Sequence, residues 1–89
     1  MTDFEIFKKN ANKSYVSFQA NEDYMFVNND QLEELLQDIE FDGERYIKDI
    51  AIGDSRYVTI PTESMADFLG VDKEEFVSFL KEIINYFPN

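Results

Sequence analysis

Cysteine, histidine and tryptophan are absent from the 89 residues, and glycine (three) and proline (two) are scarce. Without Cys or His there is no thiolate nucleophile, no imidazole base for neutral pH, and no ligand set for zinc or an iron–sulfur cluster. The missing thiols also exclude a disulfide framework, which suits a reducing compartment, so the expected location is the cytoplasm. Long apolar runs are missing too. The opening stretch MTDFEIFKKNAN has neither the basic start nor the apolar core of a signal peptide. A soluble chain with no cofactor and no membrane attachment is therefore expected. Positive charge is the last scarcity: 8 Lys and Arg stand against 19 Asp and Glu, a net charge of -11.

What is present is bulk. Nine Phe and five Tyr raise the aromatic fraction to 16%, enough large apolar surface to distinguish the chain from a disordered acidic tail. The length allows one domain, residues 1–89, with a modest core.

Patterning predicts an α+β fold. In TDFEIFKKN, Thr2 or Asp3 can cap a short helix with Phe4 and Phe7 on one face. SYVSFQA and DYMFVN are β-rich runs joined by Asn21-Glu22-Asp23 and read as a hairpin. Asn28 or Asp30 then caps a helix with Gln31 or Glu33 at the reciprocal position, and Leu32, Leu35, Leu36 and Ile39 repeat at i, i+3, i+4, i+7. Asp42-Gly43 is a turn signal, followed by a second hairpin, RYIKDIAI and RYVTIP, joined at Gly53-Asp54-Ser55 and ended by Pro61. Within it Lys48 and Asp49, and Arg56 and Asp54, read as turn or cross-strand charge pairs. Thr62 is placed to cap ESMADFLG, which Gly70 stops, and Asp72 to cap KEEFVSFLKEIINYF with Glu75 completing a capping box. The expected architecture is a small antiparallel sheet of two hairpins covered by the Leu32–Ile39 helix and a C-terminal helix pair.

The charge is concentrated. From Asn21 to Glu44 the chain holds nine carboxylates, Glu22, Asp23, Asp30, Glu33, Glu34, Asp38, Glu40, Asp42 and Glu44, and no Lys or Arg. At 100° per residue the leucines of the predicted helix face inward while Asp30, Glu33, Glu34 and Asp38 gather opposite. Acids on neighbouring turns stand roughly 5–6 Å apart, a spacing similar to that of backbone phosphates. Such a face has two readings, surface solubility or imitation of a nucleic acid, with Glu22, Asp23, Glu40, Asp42 and Glu44 extending the row if the sheet edge is contiguous with it. A field this negative opposes nucleic acid and anionic membranes and favours basic partners.

Residues Thr62 to Phe79, TESMADFLGVDKEEFVSF, resemble a helix-turn-helix: Ala66 lies in the first helix, Leu69-Gly70-Val71 at the turn and Phe76 at the apolar position of the second. The positions that would read a groove are Asp72, Lys73, Glu74, Glu75 and Ser78, whose carboxylates repel phosphate, so DNA binding is not expected. In size and acidity the chain resembles the small phage-encoded inhibitors of host defence nucleases, the anti-CRISPR and anti-restriction proteins, several of which imitate nucleic acid. That resemblance implies a host-cell cytoplasmic protein that blocks a basic, nucleic-acid-handling enzyme.

Enzymatic and metal-dependent readings find little in the pattern. Asp42-Gly43-Glu44 is too short for a calcium loop and is explained as a turn. Paired catalytic carboxylates need a cleft that a core this small scarcely provides. The expectation is a non-enzymatic binding protein acting through its acids. The alternative is a regulatory or immunity-type module whose apolar edge, along the helix carrying Phe76, Phe79, Leu80, Ile83, Tyr86 and Phe87, meets a partner or a second copy in a homodimer.

Overall fold

Each helix stops where local chemistry says it should, with two exceptions. The computed structural model describes residues 2–13, 17–39, 57–83 and 85–87. Helix α1 (Asp3–Ala11) opens on a reciprocal capping box: Thr2 Oγ1 accepts from the Glu5 N–H at 3.1 Å, and the Thr2 N–H donates to Glu5 Oε1 at 3.1 Å. Strands β1 (Phe18–Ala20) and β2 (Tyr24–Asn28) form the expected antiparallel hairpin, pairing Phe18 with Val27 and Ala20 with Met25. Its turn is held by Asn21, whose side-chain oxygen accepts from the N–H groups of Asp23 and Tyr24, both at 2.8 Å.

Helix α2 (Asn29–Leu35) is capped by Asn28, whose side chain accepts from the Asp30 N–H at 2.9 Å. It is the first exception, because it ends at Leu35 rather than running to Ile39. Leu36 to Ile39 form a turn in which Asp38 takes a left-handed φ of 73°. Strand β3 (Tyr57–Pro61) pairs antiparallel with β2, from Tyr24 opposite Pro61 to Asn28 opposite Tyr57. The RYIKDIAI half of the predicted second hairpin, with its charge pairs and the Asp42-Gly43 turn, lies outside the described residues.

Helix α3 (Thr62–Leu69) begins directly after Pro61. Thr62 is its first residue rather than its cap: the side chain is buried, and its hydroxyl donates to the Asn21 carbonyl at 3.4 Å. Gly70 closes α3 in the left-handed conformation, φ 78°, as expected of a C-terminal glycine. Helix α4 (Lys73–Ile83) follows Asp72, whose carbonyl accepts from the Phe76 N–H at 3.0 Å.

The second exception is the end of α4. The expected helix through Phe87 stops at Ile83, and β4 (Asn85–Tyr86) lies parallel to β1, with Asn85 beside Gln19 and Tyr86 beside Ala20. The sheet, in the order β3-β2-β1-β4, is mixed rather than purely antiparallel. Two forces favour this ending: Phe87 precedes a proline, which biases it away from helix, and the extended chain gives the Ala20 carbonyl a donor, the Phe87 N–H at 3.0 Å.

The helices cover one face of this sheet. Phe18, Ala20, Met25, Val27, Val58 and Ile60 point into the core. There Phe7 meets Phe18, Phe76 and Phe79 edge-on, with ring centres 5.4–6.2 Å apart, and Phe4 meets Phe76 and Phe79 in the same manner. Thus α4 is a core helix: Phe76, Val77, Phe79 and Leu80 are buried, and Ile83 alone of its described apolar residues is strongly exposed, at 44%. No helix among the described residues is long and apolar enough to cross a membrane.

Candidate interaction surface

The described members of the nine-carboxylate run do not form one surface. Its first two members sit in the β1–β2 turn and its next three on α2, at opposite ends of β2. Between them lies a five-residue strand which, rising about 3.3 Å per residue, is itself roughly 13 Å long. Glu40, Asp42 and Glu44 lie outside the described residues.

The turn acids are partnered within the chain. Lys81 Nζ donates to Glu22 Oε1 at 3.1 Å, and Lys73 Nζ stands 3.8 Å from Asp23 Oδ1, so both lysines of α4 reach back to this turn. All four side chains are about half exposed, and pairs of this kind contribute at most about 1 kcal/mol each. Lys81 Nζ also lies 5.4 Å from the centre of the Tyr86 ring.

The α2 acids are arranged differently. Asp30, Glu33 and Glu34, at i, i+3 and i+4, are all exposed, while Leu35 is fully buried and Leu32 and Leu36 pack partly against the core. Among the described residues no lysine bridges any of these three carboxylates. Asp38 is exposed but sits in the turn after the helix, out of register with the others. The structure therefore keeps a row of three acids where four were expected.

Further acids are exposed on α3 (Glu63, Asp67) and on α4 and its approach (Asp72, Glu74, Glu75, Glu82). The segment resembling a helix-turn-helix forms two helices around Gly70, with Ala66, Leu69 and Phe76 buried as that pattern requires. Asp72, Lys73, Glu74, Glu75 and Ser78, in the reading positions, are all exposed. The described residues contain no group of three Asp or Glu arranged to hold a metal ion.

A second feature is invisible to a count of charges. The sheet face turned away from the helices carries Tyr24, Phe26 and Phe87, with Phe26 stacked on Phe87 at 5.9 Å and 26° and Tyr24 6.5 Å from Phe26. Beside them opens a cleft of about 560 Å³, walled by Gln19, Phe26, Asn28, Tyr57 and Asn85. Gln31 of α2 reaches its rim, donating to Ser17 Oγ at 3.3 Å. No charged side chain lines this cleft among the described residues. Strand alternation is the signal for it: Phe26 lies between buried Met25 and Val27, and Tyr57 precedes buried Val58, so both belong to the other face. Reading Met25, Phe26 and Val27 together as strand-forming bulk conceals that split.

Compared with protein-family models, curated proteins and solved structures, the chain matches none.

Proposed function

We propose that this is a non-enzymatic acidic binding protein that inhibits a basic, nucleic-acid-handling protein by occupying its groove, presenting carboxylates where that groove expects phosphates. One observation carries the reading: Asp30, Glu33 and Glu34 form an exposed row that no lysine among the described residues neutralises, although Lys73 and Lys81 neutralise the acids of the β1–β2 turn. The net charge of -11 steers any basic surface toward the molecule. The alternative, docking through an apolar edge of α4, finds support only in Ile83, since the helix's other described apolar residues are buried or half-buried.

Affinity capture from the cells that make the protein, read by mass spectrometry, tests this. The native chain should retain a basic nucleic-acid-binding protein, with affinity that falls steeply as salt rises, because exposed charge pairs are screened beyond about 10 Å at 0.1 M. Reversing Asp30, Glu33 and Glu34 to lysine should abolish retention while the melting curve hardly moves. The same reversal at Glu63 and Asp67 on α3 should weaken it less. Affinity flat with salt, or unaffected by the triple reversal, rejects the proposal.

A further inference from the structure

The sheet face turned away from the described helices has no role in the reading above, yet it presents a cleft and two exposed tyrosines. Tyr24 and Tyr57 are 43% and 57% exposed, large rings on a face that none of the described helices covers. We infer that this face binds arginine side chains of a protein partner. The inference rests on the acidic-inhibitor reading for the partner's sign of charge and adds to it the chemistry and place of contact.

Three observations select arginine. The face carries no charged side chain among the described residues, and beyond its α2 end stand Asp30, Glu33 and Glu34, which no described lysine bridges, so a cation lying across it is drawn toward that end. The rings Tyr24, Phe26 and Tyr57 offer π-faces, on which a planar guanidinium stacks and a compact ammonium does so less well. Gln19 and Asn85, exposed neighbours across the β1–β4 ladder, supply side-chain carbonyls for the guanidinium N–H groups at the cleft wall. An aromatic sheet face also suits nucleobases, but here the phosphates that accompany bases would enter the field of a chain with net charge -11.

The experiment uses the full chain and two synthetic peptides of equal length and charge, one carrying arginines and the other lysines, with a single-stranded oligonucleotide as the third probe. The arginine peptide should bind more tightly than the lysine peptide and shift the amide signals of Gln19, Phe26, Tyr57 and Asn85. Tyr24→Ser and Tyr57→Ser, exposed positions whose loss spares the core, should each weaken the arginine peptide roughly two- to five-fold and leave the lysine peptide unchanged. Equal binding of both peptides, insensitive to the tyrosines but lost on reversing Asp30, Glu33 and Glu34, would overturn the inference and leave the acidic-inhibitor reading standing. Arginine binding lost with the tyrosines but kept in the triple reversal would support the inference and remove the α2 row from the reading. No binding of either peptide would overturn both. Tyrosine-dependent binding of the oligonucleotide would overturn the inference in favour of a nucleic-acid surface.

Discussion

Asn10 on α1 fixes the end of α2: its buried side-chain amide donates to the carbonyl of Leu35 at 3.3 Å and to that of Gln37 at 3.0 Å. The last carbonyls of a helix have no partner within it, and here a side chain from a different helix supplies one. That contact positions the row of acids, because α2 reaches the core through Leu35 and is held to α1 at this point. Asn10→Ala leaves one buried and one part-buried carbonyl without this donor and should cost about 1–3 kcal/mol in denaturant unfolding, with faster amide exchange from Leu36 to Ile39. Asn10→Asp, which cannot donate when ionised and brings charge into the core, should cost more.

The same contact shows what local pattern conveys and what it does not. Leu32, Leu35, Leu36 and Ile39 keep a perfect helical period, so nothing within those residues signals an end at Leu35; the partner that ends the helix is 25 residues away. Asp38 left the expected row for that reason. The pairing of Glu22 with Lys81 spans 59 residues and is equally hidden. By contrast, the cap at the start of α1, narrowed to Thr2 or Asp3, the β1–β2 hairpin and the Gly70 stop rest on residues within a few positions of each other, and all three were legible; the reciprocal contact from Glu5 was a local signal left unread. At the C-terminus the apolar pattern through Phe87 favoured helix; Asn85 and Pro88 were the contrary signals, but the strand depends on an edge of β1 that only the folded chain provides.

Gly70 makes a sharper test of a local rule. Its φ of 78° is left-handed, and a Cβ built there would meet nothing within 4 Å. Gly70→Ala therefore carries a purely backbone cost of roughly 1–2 kcal/mol, which for a domain of this size lowers the melting temperature by about 4–8 °C per kcal/mol. Gly70→Asn, which tolerates this conformation better, should recover part of that loss.

Two groups tie stability to pH in opposite directions. The Thr2 backbone N–H, and secondly its hydroxyl, hold the Glu5 carboxyl below its ordinary range. A lowered folded pKa contributes stability that is present above the unfolded pKa and lost as pH falls through the folded one. In an NMR titration Thr2→Ala should move the Glu5 midpoint part of the way back up. The Tyr86 hydroxyl is buried without a hydrogen-bond partner among the described residues, and burial first, then the charge of Glu22, raises its pKa. A raised folded pKa means that this stability is intact below the unfolded value, about 10, and is lost as pH rises through the folded one. Tyr86→Phe removes an unsatisfied polar atom, so it should be neutral or stabilising at pH 7 and should blunt alkaline unfolding.

Helices α3 and α4 together provide the final prediction. Ala66, Leu69 and Phe76 are buried, as the packing of a helix-turn-helix requires. Charge opposes DNA binding: Asp72, Glu74 and Glu75 are exposed at the start of α4, where that motif places its base-reading side chains, and Lys73 is drawn toward Asp23. Binding to duplex DNA draws on release of counterions by Lys and Arg, and this surface would instead bring carboxylates toward phosphate. No shifted band should appear in a gel-shift series with duplex DNA at physiological salt. Substituting Asp72, Glu74 and Glu75 by lysine exchanges three negative charges for three positive ones without touching Phe76, Phe79 or Leu80; salt-sensitive, sequence-independent retardation of duplex DNA should then appear. A specific band with the native chain would show that these acids do not govern the surface, and it would make α4, rather than α2, the element that defines what the protein binds.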